Sequence, residues 1–355
     1  MRIEAPQRER HAGRTRVSAE VHLDASSQAL PRRFTVWYEL PEAYAEYLSP
    51  RGDAFLVALL FLGMRLAEDI HVESVLSPRL VHGIYAYQRF FDVWFEHLTP
   101  VAIDHEGFEP APAPDGQGGT AVLFSGGVDS FYSLRTHLPQ NEPAPTHRIS
   151  HGLFIEGFDT RVKQSLRTAR EAYRKLFREL GLELLPVRTN LKRFVNDTTT
   201  GWIPAHGAFL TSVPLLLQGM LHRCFVPSTI SYERLFGQLF GSNPIVDHLL
   251  STESLEMVHD GAWVGRAEKI AAIADWPPTY DHLYVCSQHN EESLTNCCRC
   301  EKCIRTMIGL EIAGARDRYA TFPAPLERSQ IRSWQISDYR QSKPFVEDLL
   351  AYARS

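Results

Sequence analysis

The chain has 355 residues, 22% of them charged and 44% hydrophobic, with a formal net charge of −5 at pH 7. That length suits about two domains of ~150 residues each, and the mild acidity gives no general case for binding nucleic acid. The longest apolar run, Ala54–Met64, falls far short of the ~20 residues needed to span a bilayer, and the polar, basic start MRIEAPQRERHAGRTR has no signal-peptide core. A cytoplasmic protein without a membrane partner is expected.

Residues 1–16, with Arg2, Arg8, Arg10, Arg14 and Arg16, are expected to form a mobile arm. Val17–Leu23 and Arg33–Leu40 alternate apolar and polar residues, which predicts two strands in a hairpin around Ser26–Pro31. Pro41–Leu48 and Asp53–Ala67 read as helices and Asp69–Val75 as a strand, after which Ser77-Pro78 opens another helix. The rings of that helix (Tyr85, Tyr87, Phe90, Phe91, Trp94, Phe95) recur at helical spacing, and a core role outweighs a stacking surface for substrate. Residues 17–110 thus read as a small α+β domain, closed by the Pro/Gly-rich linker EPAPAPDGQGG, Glu109–Gly119. Its role is left open, with acceptor recognition as one candidate.

Thr120–Leu134, TAVLFSGGVDSFYSL, comes next. Thr120–Phe124 is predicted as a buried strand and Phe131 onward as a helix, with the loop SGGVDS between them. A strand, a tight glycine turn and a helix start make an anion site, because backbone N–H groups approach an oxygen closely and the helix N-terminus adds partial positive charge. Ser125 and Ser130 supply hydroxyls, and Asp129 is suited to hold Mg²⁺ or to orient the loop. The Walker pattern differs, needing a longer loop and a Lys-Ser/Thr.

Beyond the loop the pattern is β–α–β. Ile149–Ile155 reads as a strand, and Asp159 or Thr160 caps a helix with apolar positions Val162, Leu166, Ala169, Tyr173, Leu176 and Leu180. Gly181 stops it and Leu182–Val187 returns as a strand. Most of the basic residues of this helix fall opposite its apolar stripe, as on a solvated face. Ile203–Met220 is expected as a loop and then a buried helix kinked at Pro214, and Arg223–Ile230 as another strand. Such alternation implies a parallel sheet covered on both faces, with ligands beyond the strand C-terminal ends, where SGGVDS falls.

Four of the six cysteines lie within Cys297–Cys303. Cys297, Cys300 and Cys303, with Cys286 upstream, supply the four thiolates of a closed, structural Zn²⁺ site. An iron–sulfur cluster is the alternative metal, Cys298 competes with Cys297 as ligand, and His289 is a weaker ligand candidate. Cys224 stands alone, as an inert core thiol does.

The loop resembles the PP-loop of the ATP pyrophosphatases, in which SGGxDS grips the β- and γ-phosphates of ATP. With the cysteine run, the C-terminal two thirds is similar to the 7-cyano-7-deazaguanine synthase (QueC-like) branch. Ile203-Pro204-Ala205 with Phe209-Leu210, and Arg266-Ala-Glu-Lys269-Ile270, look like two further segments of that family. The resemblance implies an α/β fold, a parallel-sheet Rossmann-like (adenine nucleotide alpha hydrolase-like) PP-loop domain over residues 120–355 with a C-terminal zinc site. It implies that ATP and Mg²⁺ are bound by Ser125, Gly126, Gly127, Val128, Asp129 and Ser130, with Lys269 meeting phosphate. Asp129, Ser125 and Ser130 would be the catalytic residues. The implied reaction is that of a ligase: an acceptor carboxylate is adenylated, pyrophosphate leaves, and a nitrogen nucleophile displaces AMP. The chain departs from the family at His206-Gly207, where the family has Arg-Asn, and in lacking its Tyr-Pro-Asp-Cys-Arg segment. The acceptor is therefore left open between a small molecule and a protein terminus, and a homodimer is allowed for. His206 is a candidate general base. Two other readings are carried: a sulfur transferase acting on tRNA, and a partner-binding module that holds ATP without turnover.

Overall fold

Thr15, Val17, Ala19 and Val21 all point inward along one strand, Arg14–His22, which is the period-2 pattern of a half-buried sheet. The computed structural model describes residues 1–24, 30–114, 116, 118–158, 163–197, 201–237, 240–288, 294–334 and 342–354. Its first strands are β1 (Arg2–Ile3), β2 (Gln7–His11), β3 (Arg14–His22) and β4 (Arg33–Pro41). β3 and β4 pair antiparallel from Arg14↔Pro41 to His22↔Arg33. The turn expected around Ser26–Pro31 lies largely outside the described residues. The expected mobile arm is corrected: β1 and β2 both pair with β3, and Met1 and Ile3 are buried. An element this short has too few residues to show a period, so the sequence pattern misses it.

Next come α1 (Asp53–Leu66), β5 (Ile70–Leu76), α2 (Pro78–Trp94) and β6 (Ile103–Phe108). Ser77 caps α2 by accepting a hydrogen bond from Leu80 N at 3.1 Å. Most of the aromatic row serves the core: Tyr87 and Phe91 are fully buried, with ring centroids 5.9 and 4.8 Å from Phe61 of α1, Phe90, Trp94 and Phe95 pack partly buried against it, and Tyr85 is exposed.

The remaining elements alternate as expected. They are β7 (Gly119–Leu123), α3 (Val128–Thr136), β8 (His151–Glu156), α4 (Lys163–Glu179), β9 (Glu183–Thr189), α5 (Leu191–Asp197), α6 (Trp202–Leu215), β10 (Leu221–Pro227), β11 (Glu256–Asp260), α7 (Arg266–Ile273), α8 (Glu301–Ile312), α9 (Arg328–Ser333) and α10 (Ser342–Arg354). Gly181, with φ +72°, ends α4 as expected, whereas its expected cap at Asp159 or Thr160 lies outside the described residues. α6 begins at Trp202, so the loop expected from Ile203 is helical, and Pro214 sits in its last turn. A proline N–H missing there leaves the body of the helix intact.

β9, β8, β7, β10 and β11 run parallel in that spatial order, the 3-2-1-4-5 arrangement of a Rossmann-like sheet. The sheet does not end there. β4 pairs antiparallel with β9 through Tyr38↔Thr189 and Glu39↔Arg188, making an eleven-stranded, mostly parallel sheet among the described residues. A row of charges crosses this junction. Glu39 meets Arg14 at 2.6 Å, Arg16 at 3.0 Å and Arg188 at 3.4 Å, while Glu156 meets Arg188 at 3.1 Å and Arg170 at 2.8 Å.

A hydrophobic core from Met1 to Met257 crosses both parts, and a second, from Val122 to Phe322, lies within the C-terminal part. The Pro/Gly linker is also held at its start, since Arg51 donates to the carbonyls of Glu109 and Pro110 and Glu253 accepts from Ala111 N. Arg51 is itself fixed by Asp53, a buried carboxylate that accepts from Ser77 N and Gln218 as well. The described residues include no helix long and apolar enough to cross a membrane.

Candidate functional site: a glycine loop, a cation cluster and four cysteines

β7 lies between β8 and β10, and the chain turns to opposite sides of it, through α3 to β8 and later through α6 to β10. This is the topological switch point of the parallel strands, where a crevice opens beyond their C-terminal ends. SGGVDS occupies it. Gly126 has φ +79°, and a Cβ there would lie 1.8 Å from the hydroxyl of Tyr173 on α4, so both conformation and space require glycine. Gly127 caps α3 and its carbonyl accepts from Phe131 N at 3.0 Å. Ser130 closes the loop, donating to Gly127 O at 3.0 Å and accepting from Ser125 N at 3.3 Å. The first-turn amides of Val128, Asp129 and Ser130 have no intrahelical acceptor, as at any helix N-terminus.

Asp129, on the first turn of α3, pairs with Arg266 at 2.8 Å and lies 3.6 Å from Lys269 Nζ. Its Oδ1 is buried without a hydrogen bond in the structure. Lys269 is 2% exposed, and its ammonium donates to Ser228 O at 2.6 Å and Ser228 Oγ at 2.7 Å. Burial pulls the Lys269 pKa below the usual lysine value, against the pull of Asp129. Arg305 of α8 is 8% exposed, and burial with the neighbouring Arg266 lowers its pKa to about 9.

A second polar chain backs α3. Asp260 accepts from Ser133 and meets His137 Nε2 at 3.0 Å, and His137 Nδ1 meets Glu142 at 2.7 Å. Burial works against the charged imidazole, but Asp260 and Glu142 outweigh it and raise the His137 pKa. A group raised in the folded state contributes stability that is full below its unfolded pKa of ~6.5 and fades as pH rises through the folded value. Urea unfolding should therefore show His137→Gln costing more stability at pH 6 than at pH 9. An equal cost at both would show that the His137 charge contributes nothing.

A cavity of about 270 Å³ opens beside the loop, walled by Ser125, Asp129 and Ser130. Its other wall is aromatic, formed by Phe158, Trp202, His206 and Phe240. His206 Nδ1 donates to Ile203 O at 2.9 Å, with Trp202 O at 3.2 Å, and burial pulls its pKa below the usual histidine value. Gly207 is needed behind it, since a Cβ would lie 2.0 Å from Gly241 O.

The sulfurs of Cys286, Cys297, Cys300 and Cys303 all lie within 4.8 Å of one another, a cluster that can hold a metal ion such as zinc. Cys297 and Cys303 are 3.8 Å apart and Cys300 and Cys303 3.4 Å apart, close to the ~3.8 Å edge of a tetrahedron with Zn–S bonds of ~2.3 Å. Arg299 N and Cys300 N donate to Cys297 Sγ, as in a metal-binding knuckle. Hydrogen bonding from Cys286 and Cys303 favours the Cys300 thiolate. Buried Asn296 ties both cysteine segments together, accepting from Val285 N and Cys286 N and donating to Leu283 O and Thr321 O. Cys298, at φ +57°, instead directs its Sγ to Asn296 O. His289 lies outside the described residues. Cys224 is fully buried in β10, and burial raises its thiol pKa.

The structure thus brings Ser125–Ser130 and Lys269 together, and holds the four cysteines in a separate cluster linked to the loop by a hydrogen bond from Tyr284 N to Gly126 O at 2.8 Å. The sequence assigns no role to Arg266 and does not single out Arg305, Asp260 or the rings of Phe158, Trp202 and Phe240. Arg305 stands two residues after the last cysteine, a position that carries no signal until α8 packs on α7 and sets Arg305 beside Arg266. No known family model, curated protein or solved structure matches the chain.

Proposed function

We propose that the chain is an ATP-dependent ligase of the PP-loop type, with the nucleotide's phosphates on SGGVDS. The observation that carries this reading is the loop's place. It joins a central parallel strand to a helix N-terminus at the switch point, against two buried cations that share Asp129. The amides of Gly127 and the first turn of α3 would bind phosphate oxygens, and Lys269 and Arg266 would balance charge on the departing pyrophosphate.

The acceptor carboxylate oxygen attacks the α-phosphorus, the bond from that phosphorus to the bridging oxygen breaks, and pyrophosphate leaves with the electron pair. A nitrogen nucleophile then attacks the acyl carbon, losing a proton, and AMP departs. His206, which lines the cavity with Nδ1 on a backbone carbonyl and its pKa lowered by burial, is suited to take that proton. Positioning in the aromatic-walled cavity contributes the rest. Asp129, whose Oδ1 has no hydrogen bond in the structure, fits the Mg²⁺ that accompanies ATP and neutralises triphosphate charge. The four thiolates fit a structural Zn²⁺, since a filled shell leaves no catalytic position.

Reversible adenylation makes a direct test. Labelled pyrophosphate should exchange into ATP when a small-molecule acceptor fraction is present and no nitrogen source is added. Turnover of ATP without exchange under any acceptor fraction would exclude an acyl-adenylate.

A further inference from the structure

We infer that Arg305 and Arg266 form a pyrophosphate subsite beside the glycine loop, and that the four-cysteine knuckle holds Arg305 in it. This rests on the nucleotide reading of SGGVDS and goes beyond it, naming a residue that no motif marks.

Two guanidiniums in an interior repel each other and lose hydration, so they persist only where negative charge is supplied. The fixed supply here is small. Asp129 takes one nitrogen of Arg266, while Arg266 Nε is buried without a hydrogen bond. Arg305 forms no hydrogen bond among the described residues, and its nearest carboxylate, Glu301, is 3.6 Å away. Phe345 of α10 covers both, its ring centre 3.9 Å from Arg305 Cζ and 5.2 Å from Arg266 Cζ. Lys269 adds a third buried cation beside Asp129. Asp129 at the helix N-terminus is thus shared by Arg266 and Lys269, Glu301 stands beside Arg305, and Asp260 and Asp348 add charge only at longer range. The anion that balances the three cations carries several charges on forked oxygens, which is the geometry guanidinium binds in pairs of hydrogen bonds.

The knuckle sets the position. α8 is capped by Cys300, carries Cys303 in its first turn and Arg305 in its second. Cys286 lies just beyond Tyr284, which bonds the loop. The cysteine cluster therefore fixes loop and arginine on one support.

The test is calorimetric titration of the full-length protein with inorganic pyrophosphate, with AMP, and with a non-hydrolysable α,β-methylene ATP. Arg305→Met and Arg305→Lys are compared, and thermal unfolding confirms that each folds. Arg305→Met is expected to weaken pyrophosphate binding about tenfold or more with AMP affinity unchanged, and Arg305→Lys to recover part of the loss. Wild-type pyrophosphate affinity in Arg305→Met would overturn the subsite and leave the ATP reading standing. Equal losses for pyrophosphate and AMP would also overturn it, since they mark a merely structural role. Pyrophosphate binding that depends on Arg305, in a wild type that binds neither AMP nor the ATP analogue, would keep the subsite and remove the nucleotide reading.

Discussion

Asp129→Ala is expected to lower AMP formation from ATP by roughly 10²-fold or more, the scale of losing a charge-positioning group in a preorganised site, with the fold retained. The fold should survive because the bonds that shape the loop come from Ser125, Gly127 and Ser130 and not from this carboxylate. What changes is the charge pattern: Arg266 and Lys269 lose their shared partner, and the loop becomes more positive. Phosphate binding should then hold or tighten while turnover falls, so kcat should drop far more than KM rises. Steady-state kinetics on the acceptor-dependent reaction separates the two. A variant with unchanged kcat would remove Asp129 from the reaction.

The second large effect lies at the cysteines. The purified protein is expected to hold about one zinc per chain and to show no visible colour. Cys303 is fully buried and its sulfur is the neighbour of both Cys297 and Cys300. Cys303→Ser should release the metal and cost at least about 3 kcal/mol, a fraction of the ~10–16 kcal/mol by which structural zinc stabilises small domains. α8 and the Tyr284–Gly126 contact depend on this knuckle, so the loss should reach the glycine loop as well. Metal analysis with denaturant unfolding reads both. A brown, iron-containing protein would replace zinc by a cluster, and a metal-free protein of undiminished stability would contradict the structural role.

The strongly patterned parts of the chain were legible. The β3–β4 pair, the buried run of α1 and the alternation from Thr120 to β10 each arise from an apolar period long enough to read. SGGVDS and Cys286–Cys303 were legible because their chemistry lies in adjacent residues. The features that the sequence concealed are mostly non-local. β1 and β2 pair with β3, and β1 with β5, by backbone contacts that composition does not encode, and β4 reaches β9 across some 150 residues. The cation cluster comes from α3, α7 and α8, so no spacing rule links Asp129, Lys269 and Arg305. The cavity wall likewise draws Phe158, Trp202 and Phe240 from three separate segments. The place of Gly207 against Gly241 and of His206 beside the cavity is also set by contacts between distant segments.

The most direct measurement is the fate of ATP labelled at the α-phosphate, incubated with the protein, Mg²⁺ and a cell extract cleared of macromolecules. Labelled AMP is expected, matched by pyrophosphate and lowered by roughly 10²-fold or more in Asp129→Ala. Labelled ADP with inorganic phosphate, or intact ATP with both small-molecule and macromolecular fractions, would contradict adenylation on SGGVDS.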